Sequence, residues 1–197
     1  MKITVSINLG GSSFNIDDDA YAELKDYLKR LEFHLAPEES SAEILSDIEM
    51  RMAELLRTSL TPYKQVITID DVRRVISIMG TPQDFSGEES SSPESERIYS
   101  TGYHRMYRDP DHRIIGGVCA GMGAYWHVDP IIVRIIFLAL IIAGGLGVLI
   151  YLILYIVLPE ARTTAQKIEM KGRPVNIHNI TDAVKKEFNS VRKNMKF

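Results

Sequence analysis

The chain has 197 residues, enough for one large or two small domains, and its 45% hydrophobic and 25% charged residues are ordinary for a soluble protein. The net charge of −3 conceals a segregation, because residues 1–110 carry 12 Lys or Arg against 20 Asp or Glu, whereas residues 160–197 carry nine against four. The single cysteine, Cys119, excludes an intramolecular disulfide and a cysteine-based metal site.

Residues 1–85 predict a small soluble α+β domain. Apolar and polar residues alternate over Ile3–Leu9, as in a half-buried strand, and Gly10–Gly11 would turn the chain into a second strand at Phe14–Ile16. The acidic run Asp17–Asp19 would cap the helix that follows. A cation site is the alternative, and it is less favoured because no spaced oxygen ligands follow.

Three amphipathic helices are predicted in the same domain from apolar residues at helical spacing. The first carries Tyr21, Leu24, Leu28, Leu31 and Leu35, the second Ile44, Ile48, Met52 and Leu55, and the third Val72, Val75, Ile76 and Met79. Asp70 would cap the third helix and Gly80 would end it. The start of the chain lacks the apolar core of a signal peptide, so we expect this domain in the cytoplasm.

Residues 86–104 predict a flexible linker. The stretch from Ser86 to Arg97 is rich in serine and glutamate and has almost no apolar residues, so burial cannot offset the entropy lost on ordering it. The linker would separate the soluble domain from the apolar part of the chain.

Residues 105–160 begin with closely spaced glycines. Their spacing is close to that of a dinucleotide-binding loop, but the sequence lacks the βαβ context that such a loop requires. Gly117 and Gly121 lie four residues apart, so on a helix they would share one face and let another helix approach closely. We interpret them as helix-packing residues of an amphipathic helix at the membrane interface, which with the apolar run after it would form an α-helical membrane domain over 105–160.

Residues 131–158 predict a transmembrane helix, because Arg134 is the only charge in 28 residues and about 20 apolar residues suffice to cross a bilayer. Asp129 would cap this helix with Pro130 at its first position, and Trp126 would lie at the membrane interface. Arg134 would extend to the headgroups or pair with an acid such as Asp129.

Gly144, Gly145 and Gly147 interrupt this apolar run. A continuous helix of 28 residues would be about 42 Å long, more than the roughly 30 Å of the hydrocarbon core, so it must tilt, kink or fold back as a hairpin. We favour a single tilted or kinked span, because each half of a hairpin would reach only about 20 Å.

Residues 161–197 predict a basic tail with an amphipathic helix over about 181–196. An apolar seam follows spacings of three and four residues and consists of Ile180, Val184, Phe188, Val191 and Met195. The basic residues favour an anionic membrane surface, whereas the narrow seam favours pairing with a helix of a second copy or of a partner. Of the two, we favour pairing.

Several stretches of residues 108–160 together resemble the phage shock protein C (PspC) domain family. The similarity rests on Gly116-Gly117-Val118-Cys119, on Val128-Asp129-Pro130 with Arg134 four residues on, on the glycine-rich break and on the closing Leu158-Pro159-Glu160. The amino-terminal domain resembles that of Bacteroidetes-type members of the family. The resemblance implies a membrane-anchored envelope-stress response protein with no catalytic residue or cofactor to transfer.

Two functions are compatible with these features. One is a regulator of the phage shock type in the bacterial inner membrane, and the other is an oligomeric scaffold that braces or shapes the bilayer. An enzyme is not expected, because no catalytic or metal-ligand cluster stands out. The expected partners are the lipid bilayer, further copies of the chain and other stress or regulatory proteins, without direct contact with nucleic acid.

Overall fold

The computed structural model of the protein describes residues 3–81 and 105–195. Backbone contacts divide the chain into an amino-terminal unit, residues 1–100 with 176–197, and a central unit, residues 101–175. The predicted linker at 86–104 lies outside the described residues. The predicted tail is divided between the two units, since its last helix belongs to the amino-terminal one.

The amino-terminal unit contains a three-stranded sheet. Strands β1 (Thr4–Leu9) and β2 (Ser12–Asp17) form an antiparallel hairpin, and β3 (Val66–Ile67) runs parallel to β2. Gly10 at the hairpin tip has a φ of +53°, in the left-handed region that favours glycine. A Cβ on Gly10 would lie 2.7 Å from the Cα of Met50, so the tip also passes close to the helix that contains Met50.

Three helices pack with this sheet: α1 (Asp18–Leu35), α2 (Ser41–Ser59) and α3 (Ile69–Met79). Their buried apolar residues are Ala20, Leu24, Tyr27, Leu31 and Leu35 in α1, Ile44, Ile48, Met52, Ala53 and Leu56 in α2, and Val72, Val75 and Met79 in α3. Tyr27 takes the central position in α1 that the sequence assigned to Leu28. Its hydroxyl donates to the Gly80 carbonyl at 2.8 Å, which satisfies its one polar group.

The start of α3 differs from the prediction, because Thr68 and not Asp70 is the N-cap residue. Asp71 closes a capping box by accepting a hydrogen bond from the Thr68 backbone N–H at 3.0 Å, and the Nζ of Lys64 lies 2.7 Å from its other oxygen. Burial raises the pKa of Asp71, but the hydrogen bonds from Lys64 and Thr68 outweigh burial and hold the pKa below its ordinary value of 3.8.

The central unit is helical. A segment without helix or strand at 105–117, referred to below as the extended segment, precedes α4 (Val118–Trp126). This helix is followed by α5 (Pro130–Ile142), α6 (Leu146–Val157) and the short α7 (Thr164–Met170). The last helix of the chain, α8 (Ile177–Met195), contacts α2 in the amino-terminal unit.

The single transmembrane helix predicted over 131–158 is wrong. α5 ends at Ile142 and α6 begins at Leu146, and the two helices fold back on each other through a turn in which Gly145 has a φ of +74°. Backbone in this left-handed region ends an α-helix, and glycine enters it without steric cost. In residues 3–81 and 105–195, no helix has the length and apolar character needed to cross a membrane. The predicted transmembrane domain is therefore replaced by a helical unit with a short apolar hairpin.

Candidate functional site

The apolar hairpin, which we define as residues 130–157, is held together by close packing of α5 and α6. The rings of Phe137 and Tyr151 meet edge to face with their centroids 5.6 Å apart. A Cβ on Gly147 would lie 2.8 Å from the backbone nitrogen of Ile141 and 2.9 Å from the carbonyl oxygen of Phe137. Glycine at position 147 therefore allows the two helices to approach closely. Gly144 and Gly145 form the turn, where an added Cβ would meet no atom within 4 Å.

Arg108 joins the extended segment to the end of this hairpin. Its backbone N–H donates to the Pro159 carbonyl at 2.8 Å, and its carbonyl accepts from the Ala161 N–H at 3.0 Å. Its guanidinium donates to the Leu158 carbonyl at 2.9 Å and lies over the ring of Tyr155, 4.3 Å from the centroid. One side chain thus satisfies backbone at the end of α6 and stacks on an aromatic ring of the same helix.

Gly117 and Gly121 lie against the extended segment. Gly117 precedes α4 with a φ of +77°, and a Cβ there would overlap the carbonyl oxygen of Asp109. A Cβ on Gly121 would overlap the carbonyl oxygen of Tyr107 and lie 3.2 Å from the Cα of Arg108. The sequence interpretation assigns a second helix to this contact, whereas in the structure the two glycines face the backbone of residues 107–109.

Polar contacts fasten α7 to the same segment. The Tyr107 hydroxyl donates to the carboxylate of Glu169 at 2.9 Å, and both side chains are buried. Burial raises the pKa of Tyr107, and the hydrogen bond to Glu169 raises it further, so the hydroxyl remains a donor at neutral pH. The ammonium group of Lys167 lies 2.9 Å from the carboxylate of Asp111.

The start of the hairpin is defined by adjacent residues. The Asp129 carboxylate accepts from the Ile131 N–H at 2.8 Å, and Pro130 is the first residue of α5. Trp126 ends α4 with an exposed ring that contacts the Tyr125 ring edge-on.

Arg134 lies one turn into α5 and donates to the carbonyl of His112 at 3.1 Å. Among the ion pairs of the described residues, none joins Arg134 to Asp129, the alternative that the sequence left open. The side chain instead lies beside the extended segment, next to a cavity.

A cavity of about 430 Å³ lies between the hairpin and the extended segment. Its walls are mostly apolar and include Cys119 of α4, Leu138 and Ile141 of α5, and Val148 and Leu152 of α6, with Arg113 and Arg134 as its cationic lining residues. Burial raises the pKa of the Cys119 thiol, and the positive charge of Arg134 opposes this shift without cancelling it. The thiol is therefore neutral at neutral pH.

Large apolar side chains are exposed around the hairpin. In α5 these are Ile131, Ile132, Ile135, Ile136, Leu138, Leu140, Ile141 and Ile142, and in α6 they are Leu146, Val148, Leu149, Ile150, Leu152, Ile153, Tyr155, Ile156 and Val157. Exposed neighbours such as Ile135 and Ile136 point about 100° apart on a helix, so the exposure is not confined to one stripe. Exposed apolar surfaces of this extent mark contacts with proteins or membranes.

The apolar seam of α8 is buried along its first half only. Ile180 and Val184 are buried, Phe188 is half-buried and Val191 is exposed. The side chain of Met195 lies outside the described residues.

Ion pairs join basic residues of α8 to the turn between α1 and α2. The Lys185 ammonium group lies 2.8 Å from Glu38, and the Arg192 guanidinium lies 3.1 Å from Glu39. In the structure, α8 also contacts α2 of its own chain, so both its apolar seam and two of its basic residues face the amino-terminal unit.

Sequence reasoning did not single out Arg108 or the pair of Tyr107 and Glu169. Arg108 and its stacking partner Tyr155 are far apart in the chain, so no local spacing connects them. The sequence did contain one signal of this contact: Tyr151 and Tyr155 lie four residues apart, so they share one face of α6 and present two aromatic rings to whatever packs there. In the described part of the chain, no three His, Cys, Asp or Glu side chains are grouped to hold a metal ion.

Residues 104–161 match the family model of the PspC domain, and this range contains the extended segment, α4 and the whole hairpin. The resemblance found in the sequence is thereby confirmed for this part of the chain. The PspC domain associates the protein with the phage-shock-type stress response, and the family is not one of enzymes. Searches of curated proteins and of solved structures returned no match.

Proposed function

We propose that this protein acts in the phage-shock-type envelope-stress response by binding the surface of the bacterial inner membrane through its apolar hairpin and by contacting other proteins. The observation that carries the proposal is that the PspC match coincides with the segment whose apolar side chains are exposed. The hairpin would enter the bilayer without crossing it.

The distribution of the exposed residues favours lipid over a protein partner. A helix that binds a protein groove presents one apolar face, whereas α5 and α6 expose apolar residues in several directions. Arg134 is the only charged residue in 130–157, so the hairpin has no polar rim of the kind found at protein interfaces. Hydrocarbon chains can surround such a surface on all its exposed sides.

A hairpin that enters the bilayer would also leave its basic flanks on the same side of the membrane. Because the chain folds back, Arg108 and Arg113 before it and Arg162 and Lys167 after it would face the same side, and basic flanks prefer the cytoplasm. The proposal therefore includes a cytoplasmic location for the amino-terminal unit. Further copies of the chain and other stress-response proteins are the proposed protein partners.

The membrane contact is tested by flotation of the full chain with vesicles of bacterial lipids. Ile136 and Ile153 are exposed, so Ile136→Asp with Ile153→Asp should preserve the fold. Each charge costs about 2.5–3.5 kcal/mol in the apolar region, so the two together should lower the vesicle partition coefficient by a factor of about 1,000 or more. Phe33→Asp, at an exposed apolar position of α1, is the control and should float like the wild type. Unchanged flotation of the double variant would reject the proposal.

The regulatory part is tested by capturing partners from cells before and after membrane stress. A partner whose capture changes with the stress supports a regulator. A large homo-oligomer that is the same in both conditions would support the scaffold alternative instead.

A further inference from the structure

We infer that the cavity between the hairpin and the extended segment binds one acyl chain of an anionic phospholipid, with the headgroup held by Arg134 and Arg113. This inference rests on the proposed membrane contact of the hairpin and adds a specific lipid site to it. The site would make the central unit responsive to the lipid composition of the membrane.

The volume and lining of the cavity suit a hydrocarbon chain. Its volume of about 430 Å³ lies within the range of ligand sites, and its walls are mostly apolar. Leu138 and Leu152 line the cavity and are also exposed, so the cavity opens on the side of the hairpin that the proposal places in lipid. A helix is about 10 Å wide, so this volume would hold only about one helical turn of a protein partner.

The cationic residues of the cavity favour an anionic headgroup. Arg134 donates to the His112 carbonyl at 3.1 Å but forms no ion pair with a carboxylate of the described residues. Its guanidinium carries five N–H donors, so it retains capacity for a phosphate oxygen. Arg113 is exposed and its guanidinium lies 3.7 Å from Glu160, a loose ion pair that a phosphate can replace.

Cys119 supplies a probe inside the cavity, because it is the only cysteine of the chain and belongs to the cavity wall. The full chain is bound to phosphatidylcholine vesicles with increasing phosphatidylglycerol of the same acyl chains, and alkylation of Cys119 by N-ethylmaleimide is timed. Phosphatidylglycerol should slow alkylation. Native mass spectrometry of the protein released from detergent should show one retained phosphatidylglycerol, a result that does not depend on thiol reactivity.

Two pairs of variants separate the site from general membrane binding. Leu152→Trp should fill the cavity and abolish lipid retention, whereas Leu149→Trp is the control on the same helix, outside the cavity wall and similarly exposed (56% against 58%). Arg134→Gln should require about tenfold more phosphatidylglycerol for half-protection, the effect of losing one charge-assisted hydrogen bond. Arg74→Gln changes the net charge equally but lies in α3, outside the cavity wall, so it should behave as wild type.

The outcomes distinguish this inference from the proposed function. Normal flotation without a retained lipid, or equal retention of phosphatidylcholine and phosphatidylglycerol, would overturn the inference and leave the membrane contact standing. Protection of Cys119 that rises with protein concentration in the absence of lipid would show that a second copy occupies the cavity. Loss of flotation in the wild type would reject the proposed function itself.

Discussion

Replacing Gly121 with alanine separates local helix propensity from tertiary packing. In an isolated helix the substitution would stabilise by about 1 kcal/mol. In the structure the added Cβ would overlap the carbonyl oxygen of Tyr107 and lie 2.9 Å from the Tyr107 carbonyl carbon and 3.2 Å from the Cα of Arg108. These neighbours are backbone atoms, so no side-chain rotation relieves the contact.

The expected magnitude follows from what must move. Overpacking costs about 1–3 kcal/mol. Displacement of Tyr107 would also weaken its buried hydrogen bond to the Glu169 carboxylate, and a hydrogen bond of this kind contributes about 1.5–3 kcal/mol. After subtraction of the helix-propensity gain, Gly121→Ala should lower the free energy of unfolding of the central unit by about 2–4 kcal/mol. Tertiary packing thus reverses the sign that the local rule predicts.

Trp126 provides the assay, because it is the only tryptophan and lies at the end of α4, the helix that contains Gly121. Its fluorescence during urea denaturation of the full chain reports the central unit. Gly144→Ala is the matched control: a Cβ there would meet nothing within 4 Å, so stability should be unchanged or rise by about 0.4–1 kcal/mol. A midpoint for Gly121→Ala at or above that of the wild type would refute the reasoning.

Two further substitutions test the amino-terminal unit. Asp71→Asn should lower its free energy of unfolding by about 1–3 kcal/mol at neutral pH, because it removes the ionised acceptor shared by Thr68 and Lys64. The folded-state pKa of Asp71 lies below 3.8, so this stabilisation is present above pH 3.8 and is lost as the pH falls through the folded-state pKa. Urea denaturation followed by circular dichroism should show that the difference in stability between Asp71→Asn and the wild type shrinks in acid. A difference that stays constant with pH would contradict the assignment. Val184→Asp should release α8 at a cost of about 3–5 kcal/mol, because the side chain is 2% exposed, whereas Val191→Asp at 49% exposure should change stability by less than about 0.5 kcal/mol. Amide hydrogen exchange of α8 checks this pair, and equal protection in both variants would be evidence against the burial of Val184.

Elements specified by a few adjacent residues follow from the sequence. The strand hairpin at Gly10–Gly11, the end of α3 before Gly80 and the start of α5 at Pro130 each depend on glycine, proline or a capping carboxylate within a few positions. The predicted cap of α3 was wrong by two residues, because the helix begins earlier than predicted: Thr68 is the N-cap, Asp70 lies in the first turn and Asp71 closes the capping box.

Adjacent residues did not decide whether the apolar run over 131–158 forms one helix or two. By its length and hydrophobicity, the run over 131–158 could form one helix that crosses a membrane, and glycines are tolerated in membrane helices. The reversal at Gly145 is supported by contacts between residues that are distant in the chain, such as the rings of Phe137 and Tyr151 and the approach of Gly147 to Ile141. A pattern of hydropathy contains no information about which of these contacts forms.

In the candidate site, too, some features follow from the sequence and others only from the tertiary structure. By itself, the sequence determined which segments bury an apolar face, where charge is concentrated and which stretch matches the PspC domain. Tertiary structure decided that Gly121 faces the backbone of Tyr107, that Arg108 stacks on Tyr155 and that α8 contacts α2 of its own chain. The physical reason is that hydrophobic burial is non-directional, so periodicity specifies that a face is covered, while steric fit and hydrogen-bond geometry between distant residues select what covers it.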